Sequence, residues 1–281
     1  MARALPTGHG VVVYAENTWA AMQARNALEV EWDLSAAETR SSGEIKDEIL
    51  AALDAEPTYN VNKADRTAVK TKIDGAATVL EKTFYFPLLA HAPMEPLNCT
   101  IEQTAEGDIV LHDGAQMPTG PHMAYQQIFE LPAEKIQIKS MLAGGSFGRR
   151  ATPDADYQVE AALAFIMTDR SRPVKLVWDR EDDIRGGYYR PAAGHKVRVG
   201  LDETGAIIGW DHQVAGQSIM KGTDLSPLPY MTASITPQLR ELQTALTPFQ
   251  VRCWVSPTLK KRLRFFGGVP WVTPTQLMSW K

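Results

Sequence analysis

Apolar positions along most of the chain recur with two periods, 2 and about 3.6, so strands and helices follow one another as far as about Thr223, where the alternation fades. Residues 10–15 read G-V-V-V-Y-A, a short apolar strand. Asn17 is placed to cap a helix whose Ala20, Ala24, Ala27 and Leu28 share one face, and residues 29–32 alternate again, which predicts an opening β-α-β unit. A second helix is predicted from Ser41 to Leu53, with Ile45, Ile49 and Leu53 as its apolar stripe. Residues 57–72 are polar and unpatterned, the mark of a linker or surface loop, and a domain boundary is expected near Ala76. Residues 77–86 are strand-rich, and residues 100–104 and 109–112 flank Glu106, Gly107 and Asp108, a hairpin signal. Residues 135–139 alternate as a strand. Val159, Ala162, Leu163 and Ile166 then fall on one helical face, with Thr152 expected as N-cap and Pro153 as the first helical residue. Residues 173–178 predict a buried strand, and residues 195–200 and 206–210 a hairpin about Glu203, Thr204 and Gly205. His195 and His212 are expected at the surface of these strands. The whole pattern predicts an α+β fold with mixed sheets and packed helices.

Composition narrows the function classes. With 281 residues, 44% hydrophobic and 22% charged, the chain can hold one or two domains with a substantial core, which excludes wholesale disorder. A net charge of -4 gives no reason to expect nucleic acid or an anionic membrane as partner. No apolar run is long enough to span a bilayer, and Met1 to Pro6 does not lead into a signal-peptide core. Cys99 and Cys253 stand far apart, so this chain alone cannot ligate an iron–sulfur cluster or a structural zinc; Cys99 is expected buried and reduced.

The stretch that carries candidate chemistry is Met141-Leu142-Ala143-Gly144-Gly145-Ser146-Phe147-Gly148-Arg149-Arg150, between the 135–139 strand and the following helix. Glycines there let backbone amides approach an anion or an oxo group, and two arginines could pair with phosphate. The spacing is G-G-x-x-G. It is neither the dinucleotide G-x-G-x-x-G nor a P-loop. The plainer alternative is a tight turn that packs a helix on a sheet, with both arginines solvated. His91 and Glu95 read equally well as ordinary loop residues, and the acidic run Arg180-Glu181-Asp182-Asp183 reads either as carboxylates for metal or acid–base chemistry or, more commonly, as a solvated acidic loop. Gln116, before Met117 and Pro118 at a strand end, is either a ligand or a turn cap.

Three segments occur in fixed order: residues 90–100 (A-H-A-P-M-E-P-L-N-C-T), the glycine loop, and residues 178–183 (W-D-R-E-D-D). Together they resemble the molybdopterin-binding large subunit of the xanthine dehydrogenase/aldehyde oxidase family, in the isoquinoline 1-oxidoreductase beta-subunit branch, over residues 10–221. The resemblance implies a molybdenum hydroxylase that oxidises an aldehyde or an aromatic N-heterocycle with water as oxygen donor. It implies a molybdenum–molybdopterin cytosine dinucleotide cofactor and a separate small [2Fe–2S] subunit to take the electrons. It also implies cofactor binding by Gln116, Gly144, Gly145, Ser146, Phe147, Gly148 and Arg149: amides of Gly145 to Gly148 near the metal's oxo group, Phe147 as a wall, Arg149 toward pterin or phosphate. On the same pattern residues 1–75 are a remnant of an N-terminal α/β domain, and residues 76–223 are the first part of the cofactor-binding domain. The front of the first domain, the second half of the cofactor cradle and the family's C-terminal glutamate, its general base, are not found. The competing expectation is therefore an inactive fragment that binds no cofactor. A nucleic-acid-binding tail, resting on Lys260 to Arg264 alone, is a third and weaker reading.

Past Thr223 the character changes. Residues 224–281 hold seven Lys/Arg against two Asp/Glu, whereas the rest of the chain holds 22 against 31. The hypothesis is that translation runs one base out of frame from somewhere between Thr223 and Ala245, leaving residues 224–281 a poorly ordered tail. Regrouping the codons for residues 265–273 permits L-W-W-R-S-V-G-H, and continuing through Lys281 permits T-H-T-A-Y-V-M-E, both in the family's style. Glycine from Trp271-Val272 and glutamate from Trp280-Lys281 are forced by the code. Sequencing the gene tests this: a shifted frame that reads these strings is expected, and one that lacks them defeats the idea.

Overall fold

The computed structural model describes residues 2–4, 11–31, 37–56, 59–60, 65–217, 250–255 and 275–279. They belong to two compact units, one built from residues 1–36, 90–189 and 268–281, the other from residues 37–89 and 190–267. Each contains a mixed sheet with helices, so the α+β expectation holds.

The first unit carries a seven-stranded sheet in the order Ala2–Ala4, Val11–Ala15, Thr275–Ser279, Val174–Val177, Asn98–Gln103, Ile109–Asp113, Ile136–Ser140. The predicted hairpin forms, with Ile101 opposite Leu111 and Gly107 turning the chain at φ +89°. Ile136–Ser140 lies parallel to Ile109–Asp113, Ile138 opposite Leu111. Helices Thr119–Phe129 and Asp156–Ile166 pack against this sheet and each other. Their buried side chains Tyr125, Phe129, Tyr157 and Phe165 meet Ile101, Ile109, Leu111 and Leu176 from the strands in one apolar core. Cys99 is buried in that core with a free thiol. Asp113, at the end of its strand, is buried too: Tyr157 Oη and Gln158 Nε2 donate to its carboxylate at 2.7 and 2.8 Å. Burial pushes the Asp113 carboxyl up, against those hydrogen bonds and the nearby Arg150 charge. Its carbonyl accepts the Met141 N–H at 2.9 Å, which fixes where the glycine loop leaves the sheet.

The second unit carries a five-stranded sheet, Tyr59–Asn60, Gln250–Val255, Ile207–Gly216, Ala193–Leu201, Thr78–Phe86. Ser42–Ala52 begins with a capping box, Ser41 with Glu44, and buries Ile45 and Ile49, with Leu53 buried just beyond its end. The hairpin predicted over residues 195–210 is longer than expected, pairing Ala193 through Leu201 with Ile207 through Gly216.

Four sequence expectations need correction. Residues 57–72 are not wholly loop: Asp65 caps a helix over Arg66–Asp74, whose Ile73 is buried. Its Thr, Lys and Asp residues hid a helix with little apolar surface to show. Residues 29–31 form no strand, since alternation alone supplies no pairing partner; Trp32 lies outside the described residues. The helix expected at Pro153 starts at Asp156, because Thr152 Oγ1 donates to the Asp156 carboxylate (3.0 Å) rather than capping the backbone. His195 and His212 are not surface residues: His212 is 5% exposed, His195 is half-buried, and their ring nitrogens lie 2.9 Å apart. Of the suspected out-of-frame tail, only the backbones of Gln250–Val255 and Thr275–Ser279 are described; the remainder lies outside the described residues.

The histidine pair has a consequence for stability. Burial, reinforced by the neighbouring His195, lowers the His212 pKa from 6.5 to about 4. Between these values the unfolded chain binds a proton that the folded chain refuses. The contribution is therefore complete above pH 6.5 and is lost as the pH falls toward 4, by up to about 3 kcal/mol. Thermal unfolding should show a steeper fall from pH 6.5 to 4.5 in the wild type than in His212→Gln; parallel profiles would contradict this.

Candidate functional site

The glycine loop runs through residues 141–150, between the strand Ile136–Ser140 and the helix Asp156–Ile166, as its sequence setting predicts. The segments around His91 and Trp178, both in the same compact unit, meet it there. Arg180 Nη2 donates to the Met94 carbonyl at 2.9 Å, and the His91 ring nitrogen Nδ1 lies 3.1 Å from the Tyr188 carbonyl oxygen. Asp179 caps the short helix Arg180–Arg185 in a capping box with Asp182, and both carboxylates pair with Arg25. Asp182 and Asp183 are buried, so the acidic run is structural and not the solvated loop its sequence suggests.

Two clamps hold the loop. At its start, Gly144 N–H donates to Glu95 Oε2 at 2.6 Å while Glu95 N–H donates to the Gly144 carbonyl at 3.1 Å. A Cβ on Gly144 would stand 2.7 Å from the Glu95 Cβ, so only glycine fits against this partner. Asn98 Nδ2 donates to the other Glu95 oxygen at 2.8 Å. Burial raises the Glu95 pKa, but the hydrogen bonds from Gly144 and Asn98 and the Arg150 and Lys175 charges outweigh it, and the net shift is downward. At the other end, Gly148 N–H donates to Gln116 Oε1 at 3.0 Å, and Gln116 N–H donates to the Arg150 carbonyl at 3.0 Å.

Between the clamps, the N–H groups of Gly145, Ser146 and Phe147 meet no acceptor among the described residues. Gly145 has φ +97° and Phe147 φ +57°, a conformation that a bulky residue adopts only under constraint. The Phe147 side chain is 74% exposed, and its ring edge folds back toward Gly145. Met94 and Leu142 are also exposed, at 87% and 100%.

The two arginines differ from both sequence readings. Neither is solvated and neither points a free guanidinium outward. Arg149 is 1% exposed; its Nη1 and Nη2 reach Asp156 at 3.2 and 2.7 Å, and its guanidinium carbon sits 5.0 and 5.7 Å from the Trp178 and Tyr188 ring centres. Gly187 leaves the room: a Cβ there would stand 2.7 Å from Arg149 Nη2. Arg150 is 2% exposed, between the Glu95 carbonyl (3.3 Å) and the Asp113 carboxylate (3.9 Å). Sequence reasoning missed Glu95, Asp156, Tyr188 and Gly187 as members of this constellation. The signal that could have found Asp156 is an acid seven positions after Arg149, at the start of the predicted helix.

No group of three or more His, Cys, Asp or Glu among the described residues could hold a metal ion. What the loop offers is backbone donors at a strained turn. The sequence profile described as molybdopterin cofactor-binding domain matches residues 53–236. The chain is 30% identical over 207 residues to a membrane-bound aldehyde dehydrogenase [pyrroloquinoline-quinone] of Gluconacetobacter polyoxogenes, covering 73% of this chain and 26% of that protein. It is 29% identical over 224 residues to the isoquinoline 1-oxidoreductase subunit beta of Brevundimonas diminuta, covering 75% of this chain and 27% of that protein. Quinoline 2-oxidoreductase from Pseudomonas putida 86 superposes over 60% of this chain and 22% of its own, with a TM-score of 0.49 and 18% identity. The chain thus spans about a quarter of the length of these relatives. Its profile match covers the whole of the glycine-loop unit's middle segment and much of the second unit, and the chain belongs to the molybdopterin cofactor-binding domain family.

Proposed function

We propose that the glycine loop forms one wall of a molybdenum–molybdopterin site, in an oxidoreductase that acts on an aldehyde or an aromatic N-heterocycle. The observation that carries this reading is the row of three neighbouring amides, Gly145 to Phe147, held open between the Glu95 and Gln116 clamps. Backbone donors at a fixed turn suit the oxygen-rich periphery of such a cofactor, so the residues present fit the group. The cytosine dinucleotide form is the version proposed. When bound, the cofactor supplies oxidation of a substrate carbon with water as oxygen donor, and a separate [2Fe–2S] subunit removes the electrons.

The chain's own residues bind and orient. Gly145, Ser146 and Phe147 donate through their amides, and Gly144 and Gly148 lock the row to its clamps. Gln116 spends its side-chain oxygen on Gly148 and keeps its amide nitrogen for a ligand. The exposed Phe147 ring stands where it can shield the row from water. Arg149, engaged by Asp156, Trp178 and Tyr188, acts on the cofactor only by holding the loop.

The chain matches about a quarter of each relative's length, so the loop is one wall of whatever site those relatives build. A cofactor gripped from several directions loses most of its contacts when one wall stands alone. Purified alone, the chain is expected to carry no stoichiometric molybdenum and to oxidise no aldehyde. Supplied with the remaining region of the isoquinoline oxidoreductase relative and its small subunit, it is expected to co-purify with molybdenum and pterin in equal amounts. Failure to recruit either in the complemented protein, or recruitment of a quinone instead, would overturn the cofactor reading. Metal and turnover in the chain alone would show that one wall suffices.

A further inference from the structure

The Glu95 carboxylate lies apart from the amide row yet touches the residue that begins it. It receives Gly144 N–H at 2.6 Å across 49 residues of sequence, while the Glu95 backbone returns a hydrogen bond to the Gly144 carbonyl. Asn98 fixes its second oxygen, and Arg150 Nη2 stands 3.4 Å from the first. We infer that Glu95 is a positioning residue: its charged side chain sets the backbone of Gly144 and thereby the direction in which the Gly145, Ser146 and Phe147 amides are presented. This deepens the proposed function and rests on it for the identity of the ligand, while the clamp itself is a property of the chain alone.

The physical case has three parts. A hydrogen bond from an amide to a carboxylate is about twice as strong as a neutral one, so the charge and not merely the oxygen matters. The contact is two-sided, through side chain and main chain, which defines an orientation as well as a distance. Gly144 has no room for a side chain against the Glu95 Cβ, so the two backbones approach as closely as they can. A loop that must present donors without reorganising needs such a fixed end. Gln116 does the corresponding work at Gly148 with a neutral oxygen, and its grip is the longer of the two.

The test uses the full 281-residue chain and backbone amide hydrogen exchange read by NMR. In Glu95→Ala, Gly144 N–H is expected to exchange at least about tenfold faster than in the wild type. The amide resonances of Gly145, Ser146 and Phe147 should shift, while those of the strand Asn98–Gln103 stay within their usual spread. Glu95→Gln keeps the shape and an acceptor oxygen, so its Gly144 exchange should fall between wild type and Glu95→Ala. A role in packing alone would leave Glu95→Gln identical to the wild type, and that outcome overturns the inference. So does unchanged Gly144 exchange in Glu95→Ala. If Glu95→Ala does not fold, Asn98→Ala removes the donor that orients the carboxylate; faster Gly144 exchange there supports the inference and unchanged exchange overturns it. No cofactor enters this measurement, so its failure would be distinct from a failure to recruit molybdenum.

Discussion

A guanidinium buried at the end of the glycine loop organises the first compact unit. Arg149 is 1% exposed, and a charge so placed is tolerated only when its surroundings replace the water it has lost. Asp156 at the start of the following helix supplies the counter-charge, and Trp178 and Tyr188 supply aromatic faces. The guanidinium thereby joins the loop and the helix start to the stretch that holds Trp178 and Tyr188. The same requirement explains why the helix begins at Asp156: the residue that would open it earlier, Thr152, is drawn into the carboxylate's hydrogen bonding instead. It also explains Gly187, since any side chain there would occupy the guanidinium's space.

With Arg149 fixed, the loop itself has little freedom. Arg150 is drawn inward between the Glu95 carbonyl and Asp113, and the loop's first and last glycines bond to Glu95 and Gln116. The strain at Phe147, a bulky residue in the left-handed region, costs on the order of 1–3 kcal/mol and persists because its surroundings over-determine it. What remains between the clamps is a short row of unsatisfied donors. The strain and the exposed ring both occur at the proposed ligand wall, and functional sites are where folds usually keep an unfavourable conformation.

Much of this was legible in the chain. The strand, turn and helix around the glycines, the hairpin about Gly107, the cap at Asn17 and the helix after Ser41 all follow from local rules. The three motif segments also come together in space, as their resemblance to one family required. What stayed hidden depended on contacts that exist only once the chain is folded. Arg149 and Arg150 look like surface charges until Asp156 and Asp113 are placed beside them. Glu95 looks like a loop residue until Gly144 arrives. His195 and His212, on neighbouring strands, reveal their burial only once the sheet pairs. The Arg66–Asp74 helix shows a single buried residue, too thin a stripe for periodicity to find.

The most direct test of the buried guanidinium as organiser is the unfolding free energy of Arg149→Lys in the full chain, measured together with the amide resonances of Gly145 to Phe147. Lysine keeps the charge but loses the fork that bridges both Asp156 oxygens and the plane that stacks on Trp178 and Tyr188. The expected result is a loss of about 3 kcal/mol with displaced resonances throughout the loop. A variant as stable as the wild type, with the loop resonances in place, would contradict the account.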